Sequence, residues 1–308
     1  MSFSSGVKKE LCNVEGSIRH CDMGEVAGIL NTCGEFSVNQ IKIQTESAIV
    51  AKRIFLLIKK NFNIHSQIAI RKNIKFKRSR VYCIEINQQV QKILQATGLW
   101  TQTKSGVIIQ KKINTAVLQS TCCKRAYIRG AFLASGSVSD PSKSYHMEFV
   151  CQSNELAQGL SNIINFFELQ AKIIHRKGHY IVYLKKGGNI VDLLNIMGAH
   201  GSLMDLENLR IVKDVCNNVN RFVNCETANL IKTVDAAVKQ IEDIRVIMEH
   251  KGLDSLSEQL AEVARVRIQY PEASLKEIGA MLSPSVGKSG VNHRLRKISD
   301  IAAMLRHI

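Results

Sequence analysis

Near the end of the chain, Ser289, Asn292, His293 and Arg296 recur at three- and four-residue spacing. Their side chains suit the reading of base edges. A guanidinium pairs bidentately with guanine and a carboxamide with adenine, while Ser289, Lys288 and Lys297 can hold phosphates. Arg294 lies in the same stretch. A second basic run stands far upstream. Residues 47–84 contain no Asp or Glu, yet include Lys52, Arg53, Lys59, Lys60, Arg71, Lys72, Lys75, Lys77, Arg78 and Arg80. From Arg71 to Arg80 the basic positions are interleaved with Ile74 and Phe76, as on a strand-and-turn surface with one buried face. The competing reading is a sheet edge protected by lysines.

Other chemistry is excluded by spacing. Gly287-Lys288-Ser289 ends like a phosphate-binding loop, but Leu282 stands where that loop needs its first glycine, so no ATP site is expected. His175 and His179 have no carboxylate or cysteine at ligand spacing and read as hairpin residues. The nine cysteines (Cys12, Cys21, Cys33, Cys83, Cys122, Cys123, Cys151, Cys216 and Cys225) form no C-x-x-C pair. They read as reduced, mostly buried thiols of a cytosolic protein, with no metal and no cofactor. No apolar run reaches the roughly 18–20 residues of a membrane span, and Met1–Glu10 lacks the apolar core of a secretion signal. The expectation is a cytoplasmic, nucleoid-associated protein with no membrane partner and no evident small-molecule substrate.

A chain of 308 residues is long enough for two domains or more. Its 45% hydrophobic and 22% charged content, with three prolines, is that of ordinary globular proteins. The net charge of +16 favours a polyanion through counterion release, with nucleic acid the first candidate.

The elements that must carry the base-reading residues are helices. From Leu203 onward the apolar spacing is helical. Met204–Asn217 and Thr227–His250 read as two long helices separated at Asn218–Asn220 and Asn224, with the Asn220–Glu226 segment capping them or touching phosphate. A short helix bearing Leu256, Leu260, Val263 and Ala264 stops at Tyr270-Pro271. Ser274 to Glu277 is a capping box that opens the next helix, and Ser274 and Lys276 in that first turn join the DNA-contact candidates. Gly279 would admit a close helix crossing. The last helix starts near Lys288 and turns Val291, Leu295, Ile298 and Ala302 inward, which leaves Ser289, His293 and Arg296 outward. Three helices in this order read as a helix-turn-helix, although residues 283–287 exceed the 3–4-residue turn of its simplest form.

The first two thirds contain an internal repeat: Val26–Phe36 (VAGILNTCGEF) returns as Ile128–Val138 (IRGAFLASGSV). Both read as helices ending in glycine. Gly34 and Gly136 suit a left-handed C-terminus, and Gly28 and Gly130 would let another helix approach closely. An extended stretch follows each (Phe36–Gln44; Tyr145–Gln152), then a helix (Glu46–Asn61; Asn154–Phe167). Two strands follow (Ser66–Lys72 and Arg80–Ile86; Ala171–Arg176 and His179–Leu184), then a last helix (Gln88–Ala96; Asn189–Met197). Arg176-Lys177-Gly178-His179 reads as a hairpin turn. The expected organisation is α+β. Its parts are a first half over 1–98, a linker over 99–120, a second half over 121–202, a helical linker over 203–252 and an all-α helix-turn-helix domain over 253–308.

Val26–Phe36 resembles the LAGLIDADG motif of homing endonucleases, and Ile128–Val138 resembles a degenerate second copy of it. The resemblance implies a pseudo-two-fold body whose β-strands straddle duplex DNA, with an acidic metal ligand just before the final glycine. Cys33 and Ser135 occupy those positions. Neither a thiol nor a hydroxyl supplies the hard anionic oxygen that Mg²⁺ prefers, so nuclease activity is expected to be absent. Glu35 and Asp140 are the alternative carboxylates. Cys122–Leu133, Gly136–Pro141, Asn220–Glu226 and Ser289–Leu295 together resemble the WhiA family across nearly the whole chain. That resemblance implies a non-enzymatic bacterial regulator that binds double-stranded DNA. It links cell division, chromosome segregation or sporulation to transcription, with RNA polymerase or division proteins as further partners. The competing readings are an interaction scaffold of the division machinery and an active endonuclease.

Overall fold

The computed structural model describes residues 2–14, 18–64, 66–72, 80–103, 106–109 and 112–306. The described chain falls into two compact units, Met1–Lys213 and Asp214–Ile308, and has the α+β organisation expected from its sequence.

The first unit opens with helix α1 (Phe3–Cys12), followed by α2 (Arg19–Cys33), β1 (Gly34–Phe36), β2 (Ile41–Thr45), α3 (Ala48–Phe62), β3 (Gln67–Lys72), β4 (Arg80–Ile86) and α4 (Val90–Ala96). A hairpin of β5 (Trp100–Thr103) and β6 (Gly106–Ile109) leads to the second copy. That copy comprises α5 (Thr121–Ser135), β7 (Gly136–Val138), β8 (Met147–Cys151), α6 (Asn154–Asn165), β9 (Lys172–Arg176), β10 (His179–Leu184) and α7 (Gly187–Met197). The two antiparallel sheets have equivalent orders, β1-β2-β4-β3 and β7-β8-β10-β9. Alternation explains their inner faces. Ile41 and Ile43 are buried opposite Ile86 and Ile84, and Met147 and Phe149 are buried opposite Leu184 and Val182. The short strands β1 and β7 begin at the glycine that ends each central helix; the extended stretch read over Phe36–Gln44 spans the end of β1 and most of β2, whereas that over Tyr145–Gln152 holds β8 alone. Between β9 and β10, Lys177 and Gly178 both take positive φ, as a two-residue hairpin turn requires.

Helices α2 and α5 pack against each other along the centre of the unit, and α2 is buried on all sides from Cys21 to Thr32. The glycines make this possible. A Cβ at Gly28 would collide with the backbone oxygen of Tyr127, and one at Gly130 with that of Glu25. Gly34 and Gly136 have a different reason from the left-handed one expected. Their φ values are −74° and −77°, in the extended region. Glycine is needed there because a Cβ at Gly34 would press on the Phe36 ring and Leu30 oxygen, and one at Gly136 on Phe132. Phe132 meets Phe149 edge-on at 5.7 Å, and both rings are fully buried. Each such side chain contributes roughly 1.5–3 kcal/mol of apolar burial.

The long segment from Leu203 is one helix, α8 (His200–His250), rather than two. Asn218, Asn220 and Asn224 therefore lie inside it, exposed, and the Asn220–Glu226 segment caps nothing. Asparagine costs a helix interior well under 1 kcal/mol, which the flanking helical sequence outweighs. The N-terminus of α8 is capped from α1. The Glu10 carboxylate accepts hydrogen bonds from Gly201 N (2.6 Å), Ser202 N (2.9 Å) and Ser202 Oγ (2.6 Å). Burial alone would raise its pKa, but these donors outweigh burial and hold the carboxyl below its ordinary 4.5. A depressed folded-state pKa stabilises the fold at pH values above the unfolded-state pKa, and that contribution is lost as pH falls through the folded value. Glu10→Gln is therefore expected to lower stability at neutral pH and to converge with the parent in acid, as urea titrations across pH 3–7 would show. A stability difference that stays constant over that range would refute the cap.

The second unit contains the end of α8, α9 (Glu258–Gln269), α10 (Leu275–Met281) and α11 (Lys288–Leu305). Its core joins Ile244 and Ile247 of α8 to Val263, Ile278, Leu282, Val291, Leu295, Ile298 and Ala302. Arg267 is buried there and donates to Gln240 Oε1 (3.0 Å) and Ala273 O (2.7 Å).

Candidate nucleic-acid interface

Helix α11 separates its residues by face. Val291, Leu295, Ile298 and Ala302 are buried, while Lys288, Ser289, His293, Arg296 and Lys297 are exposed and Asn292 and Arg294 are half-buried. Ser289, Asn292, His293 and Arg296 thus line a solvent-facing stripe over two helical turns. Lys276 is exposed on α10. Ser274 is also exposed, but its hydroxyl is engaged: Oγ accepts from Glu277 N (3.3 Å) and Glu277 Oε2 accepts from Ser274 N (2.7 Å). Those bonds hold the Glu277 carboxyl below its ordinary pKa. Between α10 and α11, Val286 N donates to Gly279 O (2.9 Å), and a Cβ at Gly279 would strike the Val286 carbonyl oxygen. The close approach read from sequence at Gly279 is therefore made by the turn backbone, not by a crossing helix. The longer turn is pinned at its start by Ser283 N donating to Glu262 Oε1 (2.8 Å).

The upstream basic run is only partly brought together. Lys75, Lys77 and Arg78 lie outside the described residues, as does the Lys72 side chain. Arg71 and Arg80 are exposed on adjacent strands, where Lys72 pairs with Arg80 in register. Arg53 is turned inward: its guanidinium meets the fully buried Glu25 at 2.9 Å, and Arg129 meets the same carboxylate at 2.8 Å. Lys60 reaches buried Asp22 at 2.8 Å.

The open face of the first sheet is of mixed charge, unlike the acid-free stretch that supplies much of it. Register places Glu85, one residue beyond that stretch, between Lys42 and Gln67. Arg71 approaches the Glu85 carboxylate at 3.6 Å. The second sheet repeats the plan, with Glu148 between Ser137 and Tyr183, and Tyr183 opposite Lys172. His146 stacks on Tyr183 and pairs with Glu148 at 3.0 Å, and Lys185 stands over the same ring. Lys42, Lys172 and Lys185 were absent from the sequence-derived set. The alternation of β2 was the signal for Lys42, and that of β10, continued to Lys185 and read across to β9, the signal for Lys185 and Lys172.

At the positions where the LAGLIDADG resemblance implies metal ligands, Cys33 Sγ donates to Ile29 O (3.3 Å) and Ser135 Oγ to Ala131 O (3.3 Å), each folding back on its own helix. Lys8 of α1 lies near enough to Cys33 for their charges to interact, and burial lowers its pKa. Asp140 is exposed and accepts from Ser142 N within its own turn (2.9 Å). Glu35 is exposed and sits opposite Lys42 in register.

Three family models match: the WhiA N-terminal LAGLIDADG-like domain over residues 19–100, the WhiA LAGLIDADG-like domain over 124–216, and the WhiA C-terminal HTH domain over 219–302. The probable cell division protein WhiA of Alkaliphilus metalliredigens is 47% identical over 309 residues, covering 98% of each chain. That of Lachnoclostridium phytofermentans is 50% identical over 315 residues, covering 99% of this chain and 100% of its own. The crystal structure of full-length DUF199/WhiA from Thermatoga maritima is similar with a TM-score of 0.59 at 25% identity, over 99% of both chains.

Proposed function

This chain belongs to the WhiA family, and from that membership we propose that it is a non-enzymatic, sequence-specific DNA-binding protein of cell division and chromosome segregation, acting as a transcriptional regulator. The reading rests above all on the outward stripe of α11, where Ser289, Asn292, His293 and Arg296 stand opposite the buried core positions of the same helix. In it, residues 253–308 read sequence in a major groove, with Lys276, Lys288, Arg294 and Lys297 positioning the helix on phosphates. Ser274 contributes through the helix it caps. Residues 1–98 and 121–202 form the two halves of the body, with 99–120 and 203–252 as connectors. Arg71, on the open face of the first sheet and tempered by Glu85, adds a backbone contact, and Lys72, Lys75, Lys77, Arg78 and Arg80 are further phosphate contacts in this proposal. Cleavage is absent in this reading because Cys33 and Ser135 cannot hold a divalent ion by hard oxygen ligands. The protein would work in the cytoplasm on the nucleoid. Among the described residues, no helix is long and apolar enough to cross a membrane.

A second reading, a scaffold that engages RNA polymerase or division proteins, draws on Ile211, Val215, Val219, Phe222 and Leu230, apolar side chains exposed along α8. Genome-wide crosslinking followed by duplex titration separates the two. DNA binding predicts recovered fragments sharing a sequence, with log affinity falling linearly in log salt by about 0.9 per phosphate contacted. Crosslinks that vanish when protein partners are removed, with no footprint of the purified chain on the recovered duplexes, would favour the scaffold.

A further inference from the structure

Two adjacent residue pairs, a hundred residues apart in sequence, meet at the N-terminal ends of the central helices. His20 and Cys21 lie in the first turn of α2, and Cys122 and Cys123 in the first turn of α5. Their donor atoms, one imidazole nitrogen and three sulfurs, all lie within 4.8 Å of one another. His20 Nδ1 is 3.1 Å from Cys123 Sγ, 3.5 Å from Cys21 Sγ and 4.0 Å from Cys122 Sγ. The arrangement follows from the repeat. Cys122 and Cys123 occupy in the second copy the places of His20 and Cys21 in the first, by the spacing that sets Ile128 against Val26. The pseudo-two-fold relation of α2 and α5 then brings equivalent positions together.

We propose that His20, Cys21, Cys122 and Cys123 form a structural zinc site that ties the two halves of the body together at the start of their central helices. A tetrahedral Zn²⁺ with bonds of about 2.3 Å to sulfur and about 2.0–2.1 Å to nitrogen has ligand–ligand edges of roughly 3.5–3.8 Å. The three nitrogen–sulfur distances bracket that value, so the ion closes the set with shifts of less than about 1 Å. Three thiolates and an imidazole select Zn²⁺ and exclude Mg²⁺ and Ca²⁺, which need oxygen. In the binding step three S–H bonds break and three Zn–S bonds form. Their protons pass to solvent, and the Nδ1 lone pair supplies the fourth bond. The resulting site carries one net negative charge. The N-terminal ends of both helices favour that charge, and Arg129 lies within electrostatic reach of Cys21. Cys21 and Cys123 are buried and His20 and Cys122 exposed; His20 and Cys123 line a cleft of about 410 Å³ with Met23, Ala96 and Gln119, which gives the ion a way in.

Spacing rules overlook this site because no single stretch of chain holds a zinc pattern. The test uses the full chain, produced with zinc in the medium and purified under reducing conditions without a metal-affinity step. The expected content is about one zinc per chain by elemental mass spectrometry. Exchange for Co²⁺ should give the intense visible bands of a tetrahedral thiolate complex. Cys122→Ser and Cys123→Ser should weaken metal retention against a chelator by more than the roughly 10- to 100-fold that outer partners of a metal site are worth. Cys216→Ser, exposed on α8, should leave retention unchanged. A parent chain that holds no stoichiometric zinc and develops no cobalt–thiolate bands would overturn the site. So would undiminished retention by the double variant of Cys122 and Cys123, or a disulfide among these cysteines under the same reducing conditions. The parent-chain measurement decides the matter even if a variant fails to fold.

Discussion

Glu25→Ala is expected to destabilise the first unit by about 3–5 kcal/mol, the cost of leaving buried charge without its partner. Glu25 is fully buried and its two oxygens are shared by two guanidiniums. Arg53 binds both, at 2.9 and 3.0 Å, and Arg129 binds Oε2 from Nε at 2.9 Å and from Nη2 at 2.8 Å. The side chains of Arg53 and Arg129 are only 12% and 10% exposed, so neither can recover full hydration once the carboxylate is gone. Their remaining bonds, to the carbonyls of Cys12 and Met197, satisfy donors but do not neutralise charge. Trp100, the chain's single tryptophan, lies in the first unit and reports its unfolding in urea. A lower midpoint with an unchanged slope is expected, since the slope follows the surface exposed. A loss below about 1 kcal/mol would mean that water or a rearranged side chain replaces the carboxylate, and the buried triad would not have the role assigned to it.

The second large effect concerns recognition. Asn292→Ala combined with Arg296→Ala is expected to weaken binding to the target duplex by about 2–6 kcal/mol, taking about 1–3 for each base contact. Stability should be nearly unchanged, because the two residues lie off the stripe formed by Val291, Leu295 and Ile298. Binding to unrelated duplexes should fall much less, by what one lost positive charge contributes, with the salt slope reduced by about one. Lys297→Ala is the contrasting variant: as a phosphate contact it should weaken all duplexes alike. Competition titrations with target and scrambled DNA at fixed salt read these quantities. Equal losses on both duplexes for the Asn292/Arg296 variant would show that α11 lies along the backbone and does not read bases.

Periodicity in the sequence revealed the elements whose burial it controls. The inner residues of β2, β8 and α11, the capping box at Ser274 and the close approach at Gly28 and Gly130 all follow from local pattern. Features set by distant neighbours were not legible. Helix α1 is an exception: it carries Phe3, Val7 and Leu11 at four-residue spacing, and Val7 and Leu11 are buried in the core of the first unit. Gly34 and Gly136 invited a left-handed cap, but the constraint there is the volume of Phe36 and Phe132. The asparagines of α8 read as a break because propensity says nothing about a helix already nucleated on both sides. The DNA-facing stripe was readable residue by residue because one helix carries it. The sheet faces were not, because Glu85 enters through cross-strand register and the thiol cluster through the packing of two helices.

The asymmetry of the central pair also fixes which half can marry which. At the place of Arg129 the first copy has Ala27, and at the place of Glu25 the second has Tyr127. Two copies of the first half would each keep Arg53 but lose the second guanidinium, while two copies of the second would bury a cation with no anion to meet it. Two second halves are therefore mismatched, whereas two first halves would keep a neutral Glu25–Arg53 pair and lose only the bonds that Arg129 makes to the same carboxylate. Severed halves supplied as separate chains are therefore expected to pair with each other, because Arg129 of the second half meets its carboxylate, Glu25, only on the first.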